Sequence, residues 1–193
     1  MRSVGEGIES MHINEQASDT PKSWFAIKVF YNRVLTLQRR LDEQHIESYI
    51  PMKSTEQIVN GRKIRRRKPA ISSLLFVRCT EQQASELQAL FRGEAMLYTN
   101  RGEKHPAAIP DQQMRTFISV TSIDDIGMEY LGDITDEWTT GQRVRVTGGV
   151  FKGAEGYIKR IKGNHRLIVA IEGIVAVATS YIPTCHLERV EQE

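Results

Sequence analysis

Cysteines and long apolar runs, which narrow the class of many proteins, are both scarce in this sequence. Only two of the 193 residues are cysteines, Cys79 and Cys185, and neither belongs to a C-x-x-C pair, so nothing supports a disulfide framework or a zinc site. The longest apolar runs, such as 174–178, are far shorter than the roughly 20 residues that cross a bilayer. The first ten residues mix charge with glycine instead of forming an apolar secretion signal. These absences predict a reduced, cytoplasmic protein without a transmembrane helix.

Sequence motifs for catalysis and for nucleotide binding are also absent. No two histidines have the H-x-x-x-H or H-E-x-x-H spacing of metal ligands, and no G-x-S-x-G, Walker or G-x-G-x-x-G sequence occurs. The glycine-rich stretch 148–153 lacks the Gly-Lys-Ser/Thr end that would hold phosphate and magnesium. We therefore predict that the protein is not an enzyme and binds neither metal nor cofactor. A nuclease that uses His105 or His165 with a nearby lysine is the enzymatic alternative.

Charge is distributed unevenly along the chain, although the net charge is only +2. Residues 23–120 carry sixteen Lys and Arg against nine Asp and Glu, and residues 138–193 carry eight against five. Residues 121–137, which lie between them, hold six acids and no base. We predict a flexible leader (1–22), a first domain (23–120), an acidic linker (121–137) and a second domain (138–193). The excess of basic residues predicts a polyanionic partner for at least one domain.

The first domain shows alternating strand and helix patterns in the order β-α-β-β-α-β-α. Apolar, β-branched and aromatic runs predict strands at 24–30, 46–50, 74–79 and 95–99. Asn60-Gly61 predicts a hairpin turn, Thr80 with Gln83 predicts a capping box, and Pro110 can open a third helix. This order predicts an α+β fold that begins with a ferredoxin-like (split βαβ) domain, whose helices lie on one face of the sheet.

The second domain is predicted to be a small SH3-like β-barrel without helices, because half of the 14 glycines fall within 141–173 and separate short apolar strands. Its most specific segment is V-R-V-T-G-G-V-F-K-G-A-E-G-Y-I-K-R-I, at 144–161. Phe151 can fill the barrel, and Gly153 and Gly156 can let the chain reverse into the next strand. The segment resembles the KOW motif, carried here by Val146, Gly149, Phe151, Gly153 and Gly156. KOW barrels are known from ribosomal proteins and transcription elongation factors, where they bind RNA or proteins.

Three segments of the first domain give a more specific resemblance. W-F-A-I-K-V-F-Y-N-R before a helix, then I-E-S-Y-I-P, then L-L-F-V-R before a second helix, resemble the amino-terminal (NGN) domain of NusG-type transcription factors. The domain order and the acidic linker also fit, so the resemblance spans residues 23–190. The basic segment T-E-Q-I-V-N-G-R-K-I-R-R-R-K-P looks more like the specialised paralogues, RfaH and the UpxY antiterminators, than the general factor. Ile71-Ser72-Ser73-Leu74 replaces the Phe-Pro-Gly-Tyr or Phe-Pro-Ser-Tyr box of the general factor, which also favours a paralogue.

The resemblance implies two kinds of binding residue. In this family an apolar depression on the first domain binds the clamp helices of RNA polymerase, and the matching positions here are Trp24, Phe25, Phe30, Ile71, Leu74 and Phe76. The hairpin between the second and third strands projects near polymerase and near upstream or non-template DNA. Its basic residues are the first nucleic-acid candidates: Arg62, Lys63, Arg65, Arg66, Arg67 and Lys68. The second helix, which reads bases in the paralogues, adds Ser85, Gln88 and Arg92.

The function implied is that of a monomeric elongation or antitermination factor, which bridges polymerase and suppresses pausing or termination on specific long operons such as those for polysaccharide synthesis. The barrel of the general factor binds termination factor Rho or a small-subunit ribosomal protein through a loop that corresponds to 171–174 here. This loop lacks the aromatic residue common in the family, so the sequence does not decide whether the barrel binds Rho, the ribosomal protein or neither. The alternatives are the general housekeeping factor and a KOW-containing protein that binds RNA or the ribosome.

Overall fold

The computed structural model describes residues 20–100, 105–125, 127–131, 138 and 141–190. Most of the predicted leader, and much of the predicted acidic linker, therefore lie outside the described residues. None of the helices in the described part of the chain is long and apolar enough to cross a membrane.

The first domain is built on an antiparallel sheet with the strand order β2-β5-β1-β6 and with β7 paired to β1. Its elements are β1 (Ser23–Val29), α1 (Val34–Glu43), β2 (Glu47–Tyr49), β3 (Met52–Val59), β4 (Arg62–Pro69), β5 (Leu74–Cys79), α2 (Glu81–Leu90), β6 (Ala95–Leu97), β7 (Ala108–Ile109) and α3 (Asp111–Thr121). The four strands predicted for this sheet are confirmed, with ends that differ by one or two residues; the sequence did not predict β7.

Side chains alternate between the two faces of β1, as the pleat of a strand requires. Phe25, Ile27 and Val29 pack with α1 and α2 on one face. Trp24 and Ala26 lie on the other face, in a cluster that includes Phe117 of α3. The prediction of helices on one face therefore holds for α1 and α2, and it is wrong for α3.

Helix α3 is held on the second face by packing and by hydrogen bonds. The rings of Phe76 and Phe117 meet edge to face, with centroids 5.6 Å apart. The Tyr49 hydroxyl on β2 lies 2.6 Å from the Thr121 hydroxyl, which donates to the carbonyl oxygen of Phe117. These contacts join the end of α3 to the edge of the sheet.

The predicted start of α2 is confirmed in detail. The backbone N–H of Gln83 donates to Thr80 Oγ1, and the backbone N–H of Thr80 donates to the Gln83 side chain. These two bonds form the reciprocal capping box, which satisfies donors that would otherwise lack a partner at the first turn.

The basic segment forms a separate two-stranded ribbon, β3–β4, which projects from the sheet. Its register is regular over eight pairs, from Met52 opposite Pro69 to Val59 opposite Arg62. Asn60 and Gly61 both have positive φ, as a two-residue turn matched to the twist of its strands requires. The predicted hairpin turn is confirmed.

The strands that follow α3 form a six-stranded antiparallel sheet with the order β13-β9-β10-β11-β12-β8, in which β8 precedes the predicted second domain (138–193) and the other five strands lie within it. Its strands are β8 (Glu129–Leu131), β9 (Arg143–Val146), β10 (Glu155–Ile161), β11 (Asn164–Ile171), β12 (Val175–Tyr181) and β13 (Leu187–Arg189). A 3-10 turn at Thr184–His186 departs from the prediction of no helix. Strand β8 was not predicted, because it lies in the acidic segment; Glu129 pairs there with Arg166 of β11, at 3.2 Å.

The glycines of the second domain have two different physical roles. Gly149 and Gly153 have φ of 76° and 88° and let the chain turn between β9 and β10, as predicted for Gly153. Gly156 lies within β10, so the prediction that it reverses the chain is wrong. A side chain at Gly156 would overlap the carbonyl oxygen of Ile168 on β11, so its role is close approach between strands.

The two cysteines are predicted to differ sharply in reactivity. Cys79 is buried, and burial raises the pKa of its thiol to about 12, whereas Cys185 is exposed. Because the thiolate is the reactive form, we expect a thiol reagent at pH 8 to label one cysteine per native chain and two per chain in urea. Changing Cys185 to serine should abolish the rapid labelling, and rapid labelling of both cysteines in the native protein would contradict the burial of Cys79.

Candidate functional site

A cleft of about 460 Å³ lies between the sheet of the first domain, the strand β8 and the second domain. One wall consists of residues from the sheet and the loop before β5; the opposite wall comes from β8 and the turn between β11 and β12. The first wall includes Lys28, Lys53, Ile71 and Leu74, and the second includes Glu129, Tyr130 and Ile174. The cleft therefore combines apolar side chains with two lysines and a glutamate.

The six predicted polymerase-binding residues do not form one exposed surface. Phe25 is buried beneath α1 and α2, and Trp24 and Phe76 are buried in the cluster that contains α3. Ile71 is half-buried and Leu74 is 2% exposed, and both line the cleft. Ile71 and Leu74 therefore lie together on one wall of the cleft, Leu74 with almost no exposed surface, and the three buried aromatic residues belong to the packing on the two faces of the sheet.

Phe30, the sixth predicted residue, is half-buried at the end of β1. Val29 donates its N–H to the carbonyl of Ser73, so this end of β1 lies beside the loop that carries Ile71. Tyr31 follows it and is 79% exposed, with its ring edge to face against Phe30 at a centroid distance of 6.4 Å. Tyr31 was not among the predicted binding residues; the available signal was an aromatic residue next to the turn-forming Asn32.

Tyr130 brings an unsatisfied polar group to the opposite wall of the cleft. Its hydroxyl is shielded from solvent and has no hydrogen-bond partner among the described residues. Burial raises the pKa of this phenol well above its ordinary value, and the nearby Tyr49 raises it further. The hydroxyl therefore stays protonated, and it is a shielded donor behind the wall of the cleft.

All six predicted basic residues of the hairpin are exposed and lie on β4, which begins at Arg62. Two of them are ion-paired: Lys63 with Glu56 of β3 at 3.7 Å, and Arg65 with Asp124 at 3.0 Å. Arg65 also donates to the backbone carbonyl of Asp124. The hairpin is therefore a strongly basic ribbon that is tied to the acidic segment at one point.

The three predicted base-reading residues lie elsewhere, on and just after α2. Ser85, Gln88 and Arg92 are exposed, and their spacing of three and four residues places them on one side of the helical path. The Ser85 hydroxyl donates to the carbonyl of Glu81, one turn earlier. The structure does not join these residues to the hairpin in one element.

The residues predicted to form the KOW motif are mostly structural. Val146 and Phe151 are buried, and the glycines shape the turn and the strand contact described above. In the predicted partner loop, Gly173 has positive φ and Ile174 points to the cleft rather than to open solvent. Between β9 and β10, Arg145 donates to the carboxylate of Glu155 at 2.6 Å, and this hydrogen bond raises the pKa of the arginine.

The comparisons with known proteins bear on the first domain above all. The family model described as transcription termination factor nusG matches residues 22–118, which is half of the chain. A solved structure described as "Domain interaction in Thermotoga maritima NusG" is 14% identical, with a TM-score of 0.47, and the match covers 88% of this chain and 98% of that one. The comparison with curated proteins finds no match. From the family match, the chain belongs to the NusG family, whose members are transcription factors of elongation and termination that typically bind RNA polymerase.

Proposed function

We propose that the protein is an elongation and antitermination factor that binds the clamp helices of RNA polymerase at the cleft and opposes pausing or termination. The family match over 22–118 carries this proposal, because members of the family typically bind polymerase. The cleft supports it: Ile71 is half-buried on one wall and offers apolar surface within a concave site, as anchor pockets in protein interfaces do. The strand order β2-β5-β1-β6, with α1 and α2 on one face, agrees with a split βαβ domain as the platform.

The proposal includes a specialised rather than a housekeeping role. Two features support it: aliphatic residues at 71 and 74, where the general factor has an aromatic box, and the basic hairpin between β2 and β5. The exposed hairpin would contact upstream or non-template DNA while the cleft holds polymerase. In this role the protein acts on a restricted set of long operons.

The second domain supplies the runner-up function. A segment that resembles the KOW motif, in a small antiparallel sheet, fits a protein that binds RNA or the ribosome. Rho and a small-subunit ribosomal protein are the partners that the family resemblance offers for this domain. The binding experiment below separates this alternative from polymerase binding.

Ile71→Asp is the variant that tests polymerase binding at the cleft. Ile71 is partly exposed, so a carboxylate there can reach water without unfolding the domain, but it would meet an apolar partner surface without compensation. We expect affinity for purified core RNA polymerase to fall at least tenfold in a titration with labelled protein. Leu74 is a poorer choice, because an aspartate at this buried position would destabilise the fold.

Val150→Asp provides the matched control. Val150 is 72% exposed on the turn between β9 and β10, so this variant adds the same charge and removes a similar aliphatic side chain away from the cleft. It should bind polymerase like the native protein. Failure of the native protein to bind polymerase, combined with binding to RNA or ribosomes, would replace the proposal with the runner-up.

A further inference from the structure

The basic hairpin has two faces of different chemistry. Directly opposed residues of an antiparallel pair share a face, and successive pairs alternate between faces. The regular register therefore assigns each hairpin residue to one side. We call one side the acid-free face, formed by Lys53, Thr55, Gln57, Val59, Arg62, Ile64, Arg66 and Lys68. The other is the paired face, formed by Ser54, Glu56, Ile58, Lys63, Arg65 and Arg67.

Contacts within the protein occupy the paired face. Glu56 lies opposite Arg65 and forms an ion pair with Lys63. Arg65 in turn binds both the carboxylate and the backbone carbonyl of Asp124. Near the base of this face, Ser54 Oγ is shielded from solvent. A phosphate that approached this face would have to compete with two carboxylates, so its attraction to the cations would be reduced.

The acid-free face holds four cations and no carboxylate, and all eight of its residues are described. Within the described part of the chain, no ion pair involves Lys53, Arg62, Arg66 or Lys68. All four side chains are exposed. Their field is therefore available to an external polyanion.

This face also runs into the cleft at its base. Lys53 lines the cleft together with Lys28 and with Glu129, whose carboxylate is paired with Arg166 and Lys162. A row of positive charge therefore extends from Lys53 at the cleft along the ribbon to Arg62 at its tip. Eight residues of strand span about 27 Å, which is long enough to follow several nucleotides. A two-stranded ribbon also has the width that the DNA major groove admits.

We propose that the acid-free face of the β3–β4 hairpin binds the phosphate backbone of DNA, and that the paired face holds the hairpin against the body of the protein. This inference rests on the nucleic-acid contact in the proposed function and assigns it to specific residues. The contact is independent of sequence, because phosphate contacts position a protein on DNA without reading its bases.

Two double variants with the same spacing test the assignment. Arg62→Gln with Arg66→Gln removes two charges from the acid-free face, and Lys63→Gln with Arg67→Gln removes two from the paired face while leaving the Arg65–Asp124 contact intact. Binding to a 30-base-pair duplex and to a single strand of the same sequence is followed by fluorescence anisotropy between 50 and 200 mM salt. Far-UV circular dichroism checks that both variants are folded.

For the acid-free variant we expect affinity to fall at least tenfold at 100 mM salt, and the slope of log affinity against log salt to decrease by about two on the duplex. The paired-face variant should change affinity less than threefold. A loss of slope by about 0.7 per charge on the single strand, with little change on the duplex, would assign the face to single-stranded DNA.

The failures of the two proposals are distinguishable. Equal losses in both variants, or a larger loss from the paired face, would overturn the face assignment and leave the nucleic-acid contact standing. No measurable binding of the native protein to either DNA at 50 mM salt would overturn the contact itself, and the polymerase titration would then stand alone.

Discussion

Replacing Phe117 with alanine should lower the free energy of unfolding by about 3–5 kcal/mol. Phe117 is fully buried on α3 and meets Phe76 edge to face, in a cluster that contains residues of both large sheets. Deleting its ring removes the transfer free energy of the side chain and leaves a cavity that the two sheets cannot close without moving. Urea denaturation followed by tryptophan fluorescence measures the loss, because Trp24 lies in the same cluster.

Leu35→Ala is the control for Phe117→Ala. Leu35 lies on α1 and is 43% exposed, so its truncation removes little buried surface and should cost less than about 1 kcal/mol. A loss below about 1 kcal/mol for Phe117→Ala would show that α3 is not packed on the sheet as the structure has it.

Gly156→Ala should destabilise the second domain by about 2–3 kcal/mol, and Gly156→Val should destabilise it more. The added Cβ would overlap the carbonyl oxygen of Ile168 and lie 3.3 Å from Cγ of Leu167. These are atoms of a paired strand, so β10 and β11 must separate to admit them. Valine has a higher strand propensity than glycine, so propensity alone predicts that Gly156→Val stabilises the strand. Thermal and urea unfolding of the two variants measure whether each substitution lowers or raises the free energy of unfolding.

Gly163→Ala makes the same chemical change in open space. Gly163 has φ of 84°, and apart from its chain neighbours no atom of the described residues lies within 4 Å of the place that an added Cβ would occupy, so its variant should lose only about 1–2 kcal/mol, from backbone strain. If Gly156→Ala cost no more than Gly163→Ala, close approach of the strands would not be the reason for glycine at 156.

The residues at the cleft show how far the sequence alone could go. The alternation of side chains along β1 predicts that Trp24 and Phe25 lie on opposite faces of the sheet. It does not predict which face α3 covers, so the exposure of these aromatic residues could not be derived from β1 alone. Ile71 and Leu74 flank the turn before a buried strand, at the positions where the general factor of the family has its aromatic box, and both line the cleft. Tyr130 was missed because β8 forms only by pairing with β12, which lies about 45 residues later in the chain.

Features whose physics is local could be predicted from the sequence alone. The turn at Asn60-Gly61, the capping box of Thr80 with Gln83 and the alternation of side chains between the two faces of β1 depend on backbone preferences and hydrogen bonds within a few residues. That α3 covers one face of the sheet, and that Asp124 pairs with Arg65, became evident only in three dimensions. Residues 59 positions apart form that ion pair, on the face of the hairpin that also carries Glu56. Such contacts are set by where whole elements pack, because the free energy of burying their apolar faces exceeds any local preference of the chain.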